Sequence, residues 1–193
     1  GGSMLSKIRA DQELRDLPVI MITAQAQRNL VYEVAETDID AYILKPLTLR
    51  MLDEKIQTVI HNARYPDDAT RHMLKARDYE EAGDLPSAII HITKALRFRP
   101  NASKLIRKLG LLHKISGNEA AAILCLKKAA AVNGDDAVTR YMLGNIFQEK
   151  GDLLAATNYF LEVMPLTSKY NDDFITFGQT LLRNGLNDLA IKV

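Results

Sequence analysis

One cysteine, Cys125, stands in 193 residues, so no intrachain disulfide can form, a usage that fits a reducing compartment. On a helical stretch it reads as a small buried hydrophobe rather than a nucleophile. No apolar run approaches the roughly 20 residues a membrane helix requires, and no signal-peptide pattern is present. These absences point to a cytoplasmic protein with no membrane partner. Charge of neither sign prevails: 25 basic against 24 acidic side chains leave no global field to attract nucleic acid. His61, His72, His91 and His113 show no metal-ligand spacing, and neither a metal, a cofactor nor a catalytic residue is expected.

What is present is a period. Gly83, Gly117, Gly151 and Gly185 stand 34 residues apart, each between two helical stretches. Ala88, Ala122, Ala156 and Ala190 keep the same step, as do Ala76, Gly110, Gly144 and Gly178. Small residues at this period mark a stacked helix-turn-helix array, a binding architecture that rarely does chemistry. A glycine inside a helix costs about 1 kcal/mol relative to alanine. Gly110, Gly144 and Gly178 therefore imply close approach of a paired helix, whereas the turn glycines suit the left-handed cap. Each first helix carries Tyr79, His113, Phe147 or Leu181 three places after its small residue. Each second helix carries Ile92, Leu126 or Phe160 four places after its alanine, and Pro100 closes the first unit.

The pattern resembles the tetratricopeptide repeat. It covers 67–193 as units 69–102, 103–136, 137–170 and an incomplete 171–193, and a solenoid end without a polar cap implies that the parent continues or that another chain covers it. The resemblance implies a non-enzymatic module that takes a protein or peptide in a groove lined by first helices. Groove positions include Arg77, Lys104, Arg107, Leu111, Lys114, Tyr141, Asn145 and Gln148. The lysine and asparagine set with which some members clamp a terminal carboxylate is not reproduced. From Lys94 to Lys114 the chain carries Lys94, Arg97, Arg99, Lys104, Arg107, Lys108 and Lys114 with no acid, a run that reads either as a solvated face or as a site for an acidic peptide. Nucleic acid is disfavoured, because Phe98 is the lone aromatic residue among them.

The N-terminal third reads differently. Residues 1–3 look like a tag remnant before Met4. In 4–65, Leu17 to Ile22 and Ala41 to Leu44 are apolar runs of the buried-parallel-strand kind. Gln27 to Glu36 reads as a helix between them, and Thr48 can cap another that carries Leu49, Leu52, Ile56, Val59 and Ile60. The fold class is thus mainly α: a tetratricopeptide-type solenoid after a partial α/β segment.

LPVIMITAQAQ followed by DAYILKPLTLRMLDEKI resembles the C-terminal half of a response-regulator receiver domain, strand 4 through helix 5, with Leu5 to Leu14 as the end of helix 3. By that resemblance Thr23 donates to a phosphoryl oxygen, Lys45 faces the phosphate, Tyr42 is the switching ring and Lys45–Pro46 is a cis peptide. The family's phosphoacceptor aspartate belongs to strands that would precede Met4, so none is expected here; Asp38, Asp40 and Asp53 do not substitute. The implied function is an output or binding arm of a bacterial two-component response regulator in phosphorelay signalling. It would form a homodimer through an unpaired strand 4. A constitutive scaffold whose receiver remnant only oligomerises is the alternative, with a basic nucleic-acid-binding solenoid behind it.

Overall fold

The computed structural model describes residues 2–11, 13–24 and 39–193. The chain divides into two units, Gly1–Asp67 and Asp68–Val193.

In the first unit, α1 (Gly2–Ala10) precedes β1 (Ile20–Thr23), β2 (Ala41–Leu44) and α2 (Leu49–Arg64). The helix expected over Gln27 to Glu36 lies outside the described residues. β1 and β2 pair in parallel from Ile20↔Ala41 to Thr23↔Leu44. The helix expected to reach Leu14 stops at Ala10, because Asp11 Oδ1 accepts from the backbone N–H groups of Glu13 and Leu14 at 2.9 and 3.1 Å. Such local side-chain bonds compete with the helix. Arg9 then donates to the carbonyls of Arg15 and Leu17, both at 2.8 Å, and pairs with Asp40 at 3.0 Å. The Asp40 carboxylate also accepts from Val19 N at 2.7 Å, so one ion pair ties α1 to the entry of both strands. Thr48 caps α2 as expected, its hydroxyl accepting from Met51 N at 3.2 Å.

The second unit is helical throughout: α3 (Asp68–Glu81), α4 (Leu85–Phe98), α5 (Ser103–Ile115), α6 (Glu119–Val132), α7 (Ala137–Glu149), α8 (Leu153–Val163), α9 (Asn171–Arg183) and α10 (Asn187–Ala190). Successive helices pack as pairs, and α4 and α6 also pack on the helices that follow them. Every pair turns through the same device. Gly83, Gly117, Gly151 and Gly185 have φ of 78°, 81°, 78° and 73°, a conformation that a Cβ disfavours. At the first of them, Gly83 N donates to Glu80 O and Asp84 N to Tyr79 O, the Schellman pattern that satisfies the last carbonyls of a helix. Asp84, Asn118 and Asp152 serve twice, ending one helix and capping the next by accepting from Ser87, Ala121 and Ala155 N. Leu186 holds the fourth such position, offers no side-chain cap, and opens a helix of four residues.

The small residues behave unequally. A Cβ on Gly110 would lie 2.9 Å from Leu126 Cγ and 3.2 Å from Ala122 O; one on Gly144 would lie 2.6 Å from Phe160 Cδ1. The expectation of a close helix partner holds at these two. At Gly178 a Cβ would meet nothing within 4 Å. Substitution should therefore give opposite signs. Gly144→Ala gains helix propensity but forces a ring boxed in by Phe174 and Phe177, and should destabilise by about 1–2 kcal/mol net. Gly178→Ala should stabilise by up to about 1 kcal/mol. Urea unfolding of both variants measures the contrast, and equal shifts would contradict this account of the packing.

Candidate functional site in the repeat groove and at the strand ends

The first helices α3, α5, α7 and α9 carry the expected groove positions. Leu111 and Lys114 of α5 meet Asn145 of α7 around a cleft of about 160 Å³, whose remaining walls are Leu126, Met142 and Ile146. Three of the expected residues are thus brought together at one apolar hollow with two polar groups on its wall. Tyr141 lies one turn away. Its hydroxyl donates to Asp173 at 2.7 Å and its ring stacks on Tyr170 at 3.8 Å and 8°. Burial, followed by the hydrogen bond to Asp173, holds its phenol above the ordinary range. Gln148 is half-buried near the end of α7, and Arg77 of α3 lies 3.5 Å from Asp78.

The basic run has a different environment from the one its sequence suggests. It contains no acid, but other repeats supply them. Arg107 reaches Asp136 at 2.7 Å, with the two side chains 13% and 0% exposed. Lys108 reaches Glu80 at 2.6 Å and Lys114 reaches Glu149 at 2.8 Å. The open positive field expected around Arg107 is therefore offset by carboxylates lying about one repeat away in the chain. Asp136 does three things at once: it pairs with Arg107, accepts from the N–H of Thr139 at 2.9 Å to cap α7, and accepts from the Thr139 hydroxyl. Arg107 is a structural tie between repeats, and a ligand cannot claim it cheaply.

The structure also joins two residues that were read as unrelated. His72 and His91, from α3 and α4, place their Nδ1 atoms 3.0 Å apart, with His91 stacked on Tyr79 at 5.3 Å. Burial and then the neighbouring His72, Lys94 and Lys75 charges lower the His91 pKa. Among the described residues no third metal-ligating side chain completes the pair. Burial raises the Cys125 thiol above its ordinary pKa.

In the first unit, Thr23 closes β1 and Lys45 follows β2, and parallel pairing puts them side by side at the carboxyl ends of adjacent strands. That is where open α/β sheets place their sites. Lys45 N donates to Thr23 O at 2.8 Å, the Lys45–Pro46 peptide is cis, and Tyr42 and Lys45 are exposed.

Chemotaxis proteins match the N-terminal part. Over 59 residues, 31% of this chain, the sequence is 46% identical to chemotaxis protein CheY-3 of Vibrio cholerae serotype O1 and 41% identical to chemotaxis protein CheY of Pseudomonas aeruginosa. The chain spans about half the length of these relatives, 45% and 48%. No family profile matches it. Among solved structures, a crystal structure of MamA protein superposes with a TM-score of 0.57 at 26% identity, covering 65% of this chain and 68% of that one. A second MamA structure, at 18% identity and the same TM-score, covers 76% and 90% and shares the fold. The N-terminal part is thus similar to CheY-type receivers, and the repeats have the tetratricopeptide-type α-solenoid fold shared with the MamA structures. Among the described residues no helix is long and apolar enough to cross a membrane.

The ion pairs separate structural from ligand-facing cations. Arg107→Ala leaves the buried Asp136 carboxylate without its counter-charge and should lower stability by about 2–4 kcal/mol. Lys114→Ala breaks an exposed pair and should cost less than about 1 kcal/mol. Thermal unfolding of the two variants checks the ranking.

Proposed function

We propose that the repeats are the non-enzymatic binding arm of a bacterial two-component response regulator, holding a segment of a partner protein in the groove of the first helices. The observation that carries this is the cleft of Leu111, Leu126, Met142 and Ile146 with Asn145 and Lys114 at its wall. An apolar side chain fits the hollow, the Asn145 amide can both donate to and accept from an extended backbone, and Lys114 can exchange Glu149 for a ligand carboxylate. Thr23, Tyr42, Lys45 and Pro46 keep the receiver-like switch positions, and in the intact parent they would couple phosphorylation to how the repeats are presented. A displayed-peptide selection against the chain should enrich segments with one large apolar residue. Affinity for the selected peptide should fall at least about tenfold, 1.4 kcal/mol, in Leu111→Glu and Asn145→Ala. It should not change in Thr23→Ala or Lys45→Ala. Equal affinity in all four variants would end the reading.

A homodimer through the first unit is supported by its sheet. Among the described residues the sheet has two strands, leaving a parallel ladder with an unpaired edge on Ile20–Thr23, and Ile22 and Leu44 are 43% and 40% exposed. Open apolar edges invite pairing, and the simplest cover is a second copy docked strand to strand. Ile20→Lys should dissociate the dimer or render the chain insoluble while the repeats keep their helicity. Sedimentation showing a monomer at micromolar concentration, with or without the substitution, would count decisively against it.

A further inference from the structure

The cations that the groove loses to neighbouring repeats have counterparts that remain open on the second helices. On α4, Ile90, Lys94 and Phe98 follow at steps of four residues and share one face; Ile90 is 52% exposed and Phe98 56%. The same row recurs 34 residues on as Leu124, Lys128 and Val132 of α6, where Leu124 is 71% exposed. Arg97 and Lys127 flank the rows, and Lys127 also lies over the Phe147 ring at 5.8 Å. No described carboxylate pairs with Lys94, Arg97, Lys127 or Lys128. Acids are scarce on these helices: α4 has none, and the one on α6, Glu119, is tied to Lys150.

The row stops at the third repeat. Asn158 and Glu162 take the places of Leu124 and Lys128 on α8, and Glu162 is engaged by Arg140 at 2.9 Å. The outward face of a surface helix is ordinarily polar. An exposed branched aliphatic residue on that face, repeated once and followed a turn later by a lysine with no carboxylate partner, departs from this in a way that marks an interaction site.

We infer that the outer faces of α4 and α6 form a second binding surface, separate from the groove, for an acidic amphipathic helical segment of another protein. Such a segment carries an apolar row flanked by carboxylates, the complement of Ile90 and Leu124 between lysines. Nucleic acid fits less well, because Phe98 is the one aromatic side chain in the two rows and cannot by itself stack successive bases. A lipid surface fits less well because interfacial helices present Trp, Phe and Leu along a broad face, and each row here holds only two apolar residues.

The test uses the full chain and a fluorescein-labelled helical peptide of about 18 residues, with leucines on one face and glutamates on both flanks. Binding is expected to weaken at least about tenfold in Lys94→Glu/Lys128→Glu and in Leu124→Ser. The Lys94→Arg/Lys128→Arg variant should retain affinity, and Asn145→Ala in the groove should leave it unchanged. Circular dichroism confirms that the variants stay helical; should the double glutamate variant unfold, Leu124→Ser decides. The proposal is overturned by no binding at millimolar peptide or by equal affinity in parent and variants. Tighter binding of phosphatidylglycerol vesicles or single-stranded DNA than of the peptide, lost on the same substitutions, overturns it as well.

Discussion

The middle repeats depend on one close contact, in which a small residue of the first helix receives a bulky side chain of the second. Leu126 sits against Gly110 and Phe160 against Gly144, while Ala76 and Ile92 share a core in the first repeat. The contact fixes how near the two helices lie, and so where the first helices stand relative to one another and how the groove is shaped. The fourth repeat lacks it and is held differently. Phe174 and Phe177 of α9 pack on Phe160 of α8, with ring centroids 5.5 and 4.8 Å apart, and Tyr170 stacks on Tyr141. The array therefore passes from aliphatic packing to aromatic packing along its length. Aromatic pairs add about 0.5–1.5 kcal/mol beyond the area they bury.

Charge is the second organising constraint. Lys108 to Glu80, Arg107 to Asp136, Lys150 to Glu119 and Lys114 to Glu149 each link residues about 30 positions apart. Most of these pairs are exposed and each contributes little. Together they engage Arg107, Lys108 and Lys114 of α5, so the proposed groove offers the shape of the Leu111–Asn145 cleft more than open charge at these residues. The buried Arg107–Asp136 pair is the exception in strength, since Asp136 also caps α7 and so couples the ion pair to the start of a helix.

The repeat was legible because its causes are local. A glycine that must adopt positive φ and a small residue that must admit a neighbour leave marks at a fixed step, and the structure shows both. The paired strands and the Thr48 cap were legible for a similar reason, as short local patterns, whereas the cis Lys45–Pro46 peptide was implied by the receiver resemblance. Asp84, Asn118 and Asp152 leave a mark of their own, a capping side chain directly after three of the four turn glycines. What the sequence hid were pairings across repeats. An acid-free run looks basic along the chain, and nothing in Lys94 to Lys114 announces that Glu80, Asp136 and Glu149 fold against it. His72 and His91 are hidden in the same way, 19 residues apart and joined only when α3 meets α4.

The two units also differ in how much they can sustain alone. In the repeats, contacts join neighbouring helices, so each pair adds its own core and its own favourable energy. The α/β unit relies on a parallel ladder of four residue pairs, and among its described residues Leu5, Ile43 and Val59 are the buried apolar side chains. The strand ends keep Thr23 and Lys45 in place through a backbone bond between them, so the geometry there rests on the main chain rather than on side-chain packing.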